Sequence, residues 1–164
     1  MNRKLIYPVI ILALLGIDQL TKALVARSIP FQSSKSIIPG FFNLTHIRNR
    51  GAIFGFFSHS ESRILFVFLT LVSLVALGLV IYYFFKTPSS QRFMKLSLSV
   101  ILAGALGNLI DRIIRGYVID FLDFHIKNWH WPSFNVADAC ISAGAFLLIF
   151  ILVFKRGKEC IPSS

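Results

Sequence analysis

The chain has 164 residues, 55% of them hydrophobic, and a mean hydropathy of +0.73. A chain of this length and apolarity would leave much of its apolar surface uncovered in water, which excludes an ordinary soluble domain and makes the bilayer its solvent. The net charge of +10 arises from 17 Lys and Arg against 7 Asp and Glu. These cations flank apolar runs and form no dense stripe, a pattern of topological signals and attraction to lipid headgroups, so no nucleic-acid partner is expected.

Taken from the N-terminus, Met1-Asn2-Arg3-Lys4 and the apolar run behind it look like a signal peptide. No small-x-small cleavage site closes the run, and Asp18, Gln19 and Lys22 continue its helical pattern. It therefore reads as an uncleaved first membrane helix over about 5–26. The connection 27–62 contains Pro30 and Pro39-Gly40, and residues 42–47 alternate with strand-forming residues, predicting a small sheet on the membrane surface. Phe54-Gly55-Phe56-Phe57 is expected to dip into the interface.

A second helix is predicted over about 63–85, apolar except for Thr70 and Ser73, and a third over about 94–114. A loop over 115–136 follows, in which Trp129 and Trp131 flank His130 as interfacial aromatics do. A fourth helix covers about 137–154. Each run has about the 17–25 residues that cross the hydrocarbon core, and none has the alternation of barrel strands. The expectation is an all-α polytopic membrane protein with four transmembrane helices and a single membrane-embedded domain over 1–164.

Arg3 and Lys4, then Lys86, Arg92 and Lys95, then Lys155, Arg156 and Lys158 place both termini and the second connection in the cytoplasm. The loops 27–62 and 115–136 are then extracytoplasmic, although Arg27, Lys35, Arg48 and Arg50 lie on that side.

Three of the acidic residues, Asp18, Asp111 and Asp138, fall in or at the ends of predicted membrane helices, where charge is expensive and marks function by default. Asp18 and Lys22 share a helix face four residues apart, either as a structural ion pair or as support for a nearby site. Asn108, Asp111 and Arg112 form one polar patch facing the bundle, with Arg112 expected to pair with Asp111. The small residues Ala103, Gly104 and Gly107 beside that patch admit a neighbouring helix. The patch is either structural glue or the shell of an active site.

Asp120 follows the third helix after a short loop and Asp138 opens the fourth, so both belong at one membrane face. Two carboxylates from separate segments can meet there, or Asp138 is simply a charge favoured in a first helical turn. Cys140 and Cys160 are too far apart for a disulfide framework, and Cys140 reads as a small buried residue. The histidines His46, His59, His125 and His130 do not make the His-Glu-x-x-His spacing, so no metal and no cofactor are expected. Nothing supports a Ser–Lys protease based on Lys22. A small transporter or proton-coupled channel is the rival from another class, and it would need a polar path that the second helix does not offer.

Five separated motifs stand in order: Asp18-x-x-x-Lys22, Asn49-x-Gly51-Ala52, Gly107-Asn108-x-x-Asp111-Arg112, Val118-x-Asp120-Phe121 and Phe134-Asn135-x-Ala137-Asp138. Over nearly the whole chain this arrangement resembles the signal peptidase II (lipoprotein signal peptidase) family. Arg50 and Ile53 stand where a small polar and a small apolar residue are usual. The resemblance implies an aspartyl endopeptidase of the bacterial cytoplasmic membrane that removes signal peptides from prolipoproteins, cutting before a diacylglyceryl-modified cysteine. It implies Asp120 and Asp138 as the catalytic pair near the extracytoplasmic face. Asn49, Gly51, Asn108, Asp111, Arg112, Asn135, Ala137, Asp18 and Lys22 are then its substrate-binding or supporting residues. A small extracytoplasmic β-cradle and a short surface helix complete what it implies; membrane lipids as further partners and a monomeric state are expected besides.

Overall fold

A computed structural model describes residues 5–50 and 63–159. Four helices, α1 (Ile6–Ser28), α2 (Arg63–Lys86), α3 (Arg92–Arg115) and α4 (Val136–Glu159), are joined by four strands, β1 (Ser34–Ile38), β2 (Phe42–Asn49), β3 (Val118–Ile126) and β4 (Trp129–His130). Spans within all four helices, Ile6–Ser28, Phe66–Lys86, Arg92–Arg115 and Val136–Phe154, are long and apolar enough to cross a membrane. Their outward residues, such as Leu12, Val75, Phe85 and Phe146, are exposed and apolar, as a lipid-facing surface requires. The chain is a multi-pass, mostly helical membrane protein.

Helix α3 is the central post, with 56% of an apolar 18-residue stretch buried against 6% for α2. Small residues make this possible. A Cβ on Gly104 would stand 2.3 Å from the Ala137 carbonyl oxygen, and one on Gly107 would stand 2.5 Å from Asp18 Oδ2. Gly144 on α4 likewise leaves room for Ile101 of α3, whose Cγ1 would be 2.7 Å from an added Cβ. The small face expected at Ala103, Gly104 and Gly107 is thus where α1 and α4 close on α3. Gly107→Ala is expected to destabilise the bundle by about 1–3 kcal/mol, because overpacking would push against a buried carboxylate that cannot move freely. Thermal unfolding in detergent reads this, and an unchanged midpoint would contradict the close approach.

Helix α3 stops at Gly116, which adopts φ +74° and bonds its N–H to the Arg112 carbonyl, a left-handed cap that glycine takes without strain. The chain then enters β3, where a connecting loop was expected. The sheet is antiparallel in the order β1-β2-β3-β4 and is larger than residues 42–47 alone predict. Residues 118–123 escape recognition as a strand because both faces are covered. Ile119 and Phe121 pack with Val25 and Ile29 at the end of α1, and the opposite face carries Asp120. All four strands lie where α1 and α3 end and α4 begins. The segment Phe54-Gly55-Phe56-Phe57 lies outside the described residues, and among the described residues there is no helix besides these four.

Candidate active site

Two backbone devices bring Asp120 and Asp138 together. Strand β3 holds Asp120 opposite Ile47 of β2, beyond a bulge between Leu44 and Ile47. The residue before the dyad's shared amide is stapled to the same strand. The Phe134 carbonyl accepts from the N–H groups of Phe121 (3.0 Å) and Leu122 (2.8 Å), and its own N–H donates to Leu122 (3.1 Å). Asn135 therefore lies beside Asp120 while it opens α4.

Asn135 then touches both carboxylates. Its Nδ2 donates to Asp120 Oδ1 at 2.7 Å, and its Oδ1 accepts from the Asp138 N–H at 2.9 Å. Its own N–H donates to Asp138 Oδ2 at 3.3 Å. This is a reciprocal cap at the start of α4, with the free end of the amide turned onto Asp120. Asn49, at the end of β2, donates to the other Asp120 oxygen at 2.9 Å, and Asn108 of α3 donates to Asp138 Oδ1 at 2.7 Å.

Burial raises the Asp120 carboxyl to about 7, with repulsion from Asp138 adding to the rise. The hydrogen bonds from Asn49 and Asn135 and the charge of Lys22 oppose the rise without cancelling it.

Beneath this pair lies a dry ionic network. Lys22, fully buried, reaches Asp18 Oδ2 and Asp111 Oδ2 at 2.8 Å each, and also donates to the Asn108 amide oxygen at 3.1 Å. That last bond fixes which end of the Asn108 amide faces Asp138. Asp18 also accepts the Ala137 N–H at 2.9 Å, so α1 helps to hold the first turn of α4. Arg115 pairs with the outer oxygen of Asp111, and Gln19 bridges Asp18, Asp111 and the Gly107 carbonyl.

The expectation that Arg112 pairs with Asp111 is not met. Adjacent residues point about 100° apart on a helix, whereas residues four apart share a face, so Asp111 pairs with Arg115. Arg112 instead donates to Ser73 of α2 at 3.4 Å, and its charge acts most strongly on Asp138. Gln19 and Arg115 were missed by sequence reading, although the i, i+4 spacing of Asp111 and Arg115 was available. Asn49, Asn108, Asp111, Asn135, Ala137, Asp18 and Lys22 converge around the two aspartates, and Gly51 lies outside the described residues.

Other polar groups lie apart from this cluster. His46 bonds the Ile29 carbonyl at 2.9 Å, and Asp123 holds Asn43 and His130 at 2.9 and 2.8 Å. Trp129 and Trp131 are exposed and help line an apolar cavity of about 300 Å³ with Phe41 and Phe124, beyond the dyad on the sheet. On α2, the hydroxyls of Thr70 and Ser73 bond back to Phe66 and Leu69 of their own helix.

Known proteins share this organisation. Residues 10–154 match the family model described as Signal peptidase (SPase) II. A protein named lipoprotein signal peptidase from Syntrophus aciditrophicus is 44% identical over 143 residues, covering 87% of this chain and 89% of the relative. One of the same name from Burkholderia mallei is 50% identical over 133 residues, covering 81% and 78%. Two solved structures, both described as bacterial membrane enzymes determined by the in meso method, superpose on this fold. The first has a TM-score of 0.81 at 32% identity, with 96% of this chain and 93% of the other covered. The second has a TM-score of 0.75 at 34% identity, with 89% and 91% covered. Matched by the family model over residues 10–154 and by relatives 44% and 50% identical over 87% and 81% of its length, the chain belongs to the signal peptidase II family.

Proposed function

We propose that this protein is an intramembrane aspartyl endopeptidase that removes the signal peptide from diacylglyceryl-modified prolipoproteins, cutting just before the lipidated cysteine. Signal-peptide removal from prolipoproteins follows from the family, and the arrangement of the two carboxylates supports the aspartyl reading. The observation that carries the reading is Asn135, whose side-chain amide donates to the Asp120 carboxylate of β3 while its backbone N–H donates to the Asp138 carboxylate of α4. No other acidic pair among the described residues is bridged by an asparagine that also caps a helix.

The chemistry needs one proton on the pair. That proton is placed on Asp120, which keeps it up to about pH 7 because burial and the charge of Asp138 favour it. The ionised role falls to Asp138, which accepts the Asn135 N–H at the start of α4, where a negative charge is favoured. Asp138 takes a proton from a water molecule as its oxygen attacks the scissile carbonyl carbon, and Asp120 gives its proton to the carbonyl oxygen. The tetrahedral diol collapses, breaking the C–N bond. Asp138 returns its proton to the leaving amine, and Asp120 recovers one from the diol. Asn49 and Asn108 hold the two carboxylates in facing orientations throughout.

The site then lies near the extracytoplasmic face of the bacterial cytoplasmic membrane, with both termini in the cytoplasm and the chain acting as a monomer among membrane lipids. Asp18 and Lys22 support the pair, and Arg112 balances its charge.

The test is cleavage rate against pH, using a diacylglyceryl-modified prolipoprotein in proteoliposomes. A carboxyl raised to about 7 keeps its proton below that pH and loses it above, so the rate should fall as pH rises through about 7. Asn49→Ala removes a bond that favours the ionised form, so its alkaline limb should move to higher pH. A flat profile from mildly acidic to alkaline pH, or an unmoved limb in Asn49→Ala, would contradict the assignment of the proton to Asp120.

A further inference from the structure

The cations on the sheet side of the bundle take no part in the chemistry above, and they run against the usual preference for positive charge on the cytoplasmic side. Residues 27–50 and 115–135 contain Arg27, Lys35, Arg48, Arg50, Arg115 and Lys127, and their two acids, Asp120 and Asp123, are both buried. Exposed charge on this part of the surface is therefore wholly positive among the described residues. Only Arg115 of these cations has a carboxylate partner there.

Arg48 is held differently from the rest. Its guanidinium carbon stands 4.5 Å from the centre of the Phe31 ring and 4.8 Å from that of Tyr117. Each ring lies within cation–π range of the guanidinium, whose N–H groups are left for another acceptor. No acceptor from the described residues takes them. The two rings have defined places: Phe31 lies just past the end of α1, and Tyr117 lies directly after the Gly116 cap of α3. The guanidinium is thus fixed where two membrane helices leave the bilayer, which is the depth of lipid headgroups. Phe31, 45% exposed, adds apolar surface beside it, and Arg27 in the last turn of α1 and Arg50 two residues further on add charge.

We infer that Arg48, held against the rings of Phe31 and Tyr117, binds the phosphate of an anionic phospholipid at the sheet-side membrane surface. A fork whose plane is already immobilised loses little freedom when it meets a phosphate, and two parallel N–H donors match two phosphate oxygens. The surrounding unpaired cations favour a lipid with net negative charge over a zwitterionic one. The excess of positive charge on this side is then a binding feature, and the inference stands apart from the catalytic reading.

The experiment uses the full-length protein in nanodiscs of phosphatidylcholine and phosphatidylglycerol in equal amounts. Native mass spectrometry after gentle release identifies the lipids that stay bound. The parent should retain phosphatidylglycerol in preference to phosphatidylcholine, and Arg48→Gln should weaken that retention on the order of tenfold. Arg48→Lys should restore it in part, since it keeps the charge and loses the fork. Replacing Phe31 and Tyr117 together by Leu keeps the charge and frees the side chain; retention should drop severalfold, so this variant serves if Arg48→Gln does not fold. Parent-like retention in either Arg48→Gln or the double-leucine variant would overturn the inference. Equal retention of the two lipids by the parent would do so too, as would displacement of the lipid by free glycerol phosphate.

Discussion

Asp120→Asn or Asp138→Asn is expected to lower single-turnover cleavage by on the order of 10³–10⁴-fold, with the helices still assembled. Asn at position 120 has no proton to give the carbonyl oxygen, and Asn at position 138 cannot take one from water. Each amide is close in shape to the carboxyl it replaces. At position 120 the new amide offers its one oxygen to Asn49 or Asn135, and at position 138 to Asn108 or the Asn135 N–H, so each variant loses one of two hydrogen bonds. The thermal midpoint should fall by no more than one such bond costs, about 1–3 kcal/mol, while the loss of rate appears in the chemical step. The double variant should be little worse than either single one, because the two groups act as a unit. Multiplied losses in the double variant would mean that the two carboxylates act independently.

The second large effect lies one layer deeper. Lys22→Met should cost about 3–5 kcal/mol of stability, because Asp18 and Asp111 are each at most 1% exposed and would lose the cation between them. Arg115 still answers part of the Asp111 charge, but Asp18 would keep only N–H donors from Gln19 and Ala137. Cleavage should fall as well, since Lys22 sets the direction of the Asn108 amide and hence the bond to Asp138. Adding Asp18→Asn to Lys22→Met should recover part of the stability by removing the orphaned charge. Unfolding midpoints and initial rates measured on the same preparations check both effects, and parent-like values for Lys22→Met would show that the network does not support the site.

Much of this could be read in the residues because it rests on local rules. Hydropathy over about twenty residues marks a membrane span wherever it sits, and the i, i+4 spacing of Asp18 and Lys22 puts them on one face without any tertiary information. The small residues at 103, 104 and 107 pointed in the same way to a close helix contact. What stayed hidden depends on register and on neighbours far away in the chain. Asn135 reads as an ordinary helix cap until Phe134 is seen bonded to Phe121 and Leu122, which turns the spare end of its amide towards Asp120. Strand β3 does not alternate cleanly, because α1 covers one of its faces and the other faces the site. The partner of Asp111 was misplaced by choosing the adjacent arginine over the one a full turn away.

The central claim is most directly tested by the intact masses of the products formed from a diacylglyceryl-modified prolipoprotein, with the parent and Asp138→Asn run side by side. The account predicts two products from the parent, a free signal peptide and a polypeptide whose first residue is the lipidated cysteine, and uncut precursor from Asp138→Asn. Cleavage elsewhere, equal cleavage of precursor lacking the lipid, or the same products from Asp138→Asn would contradict it.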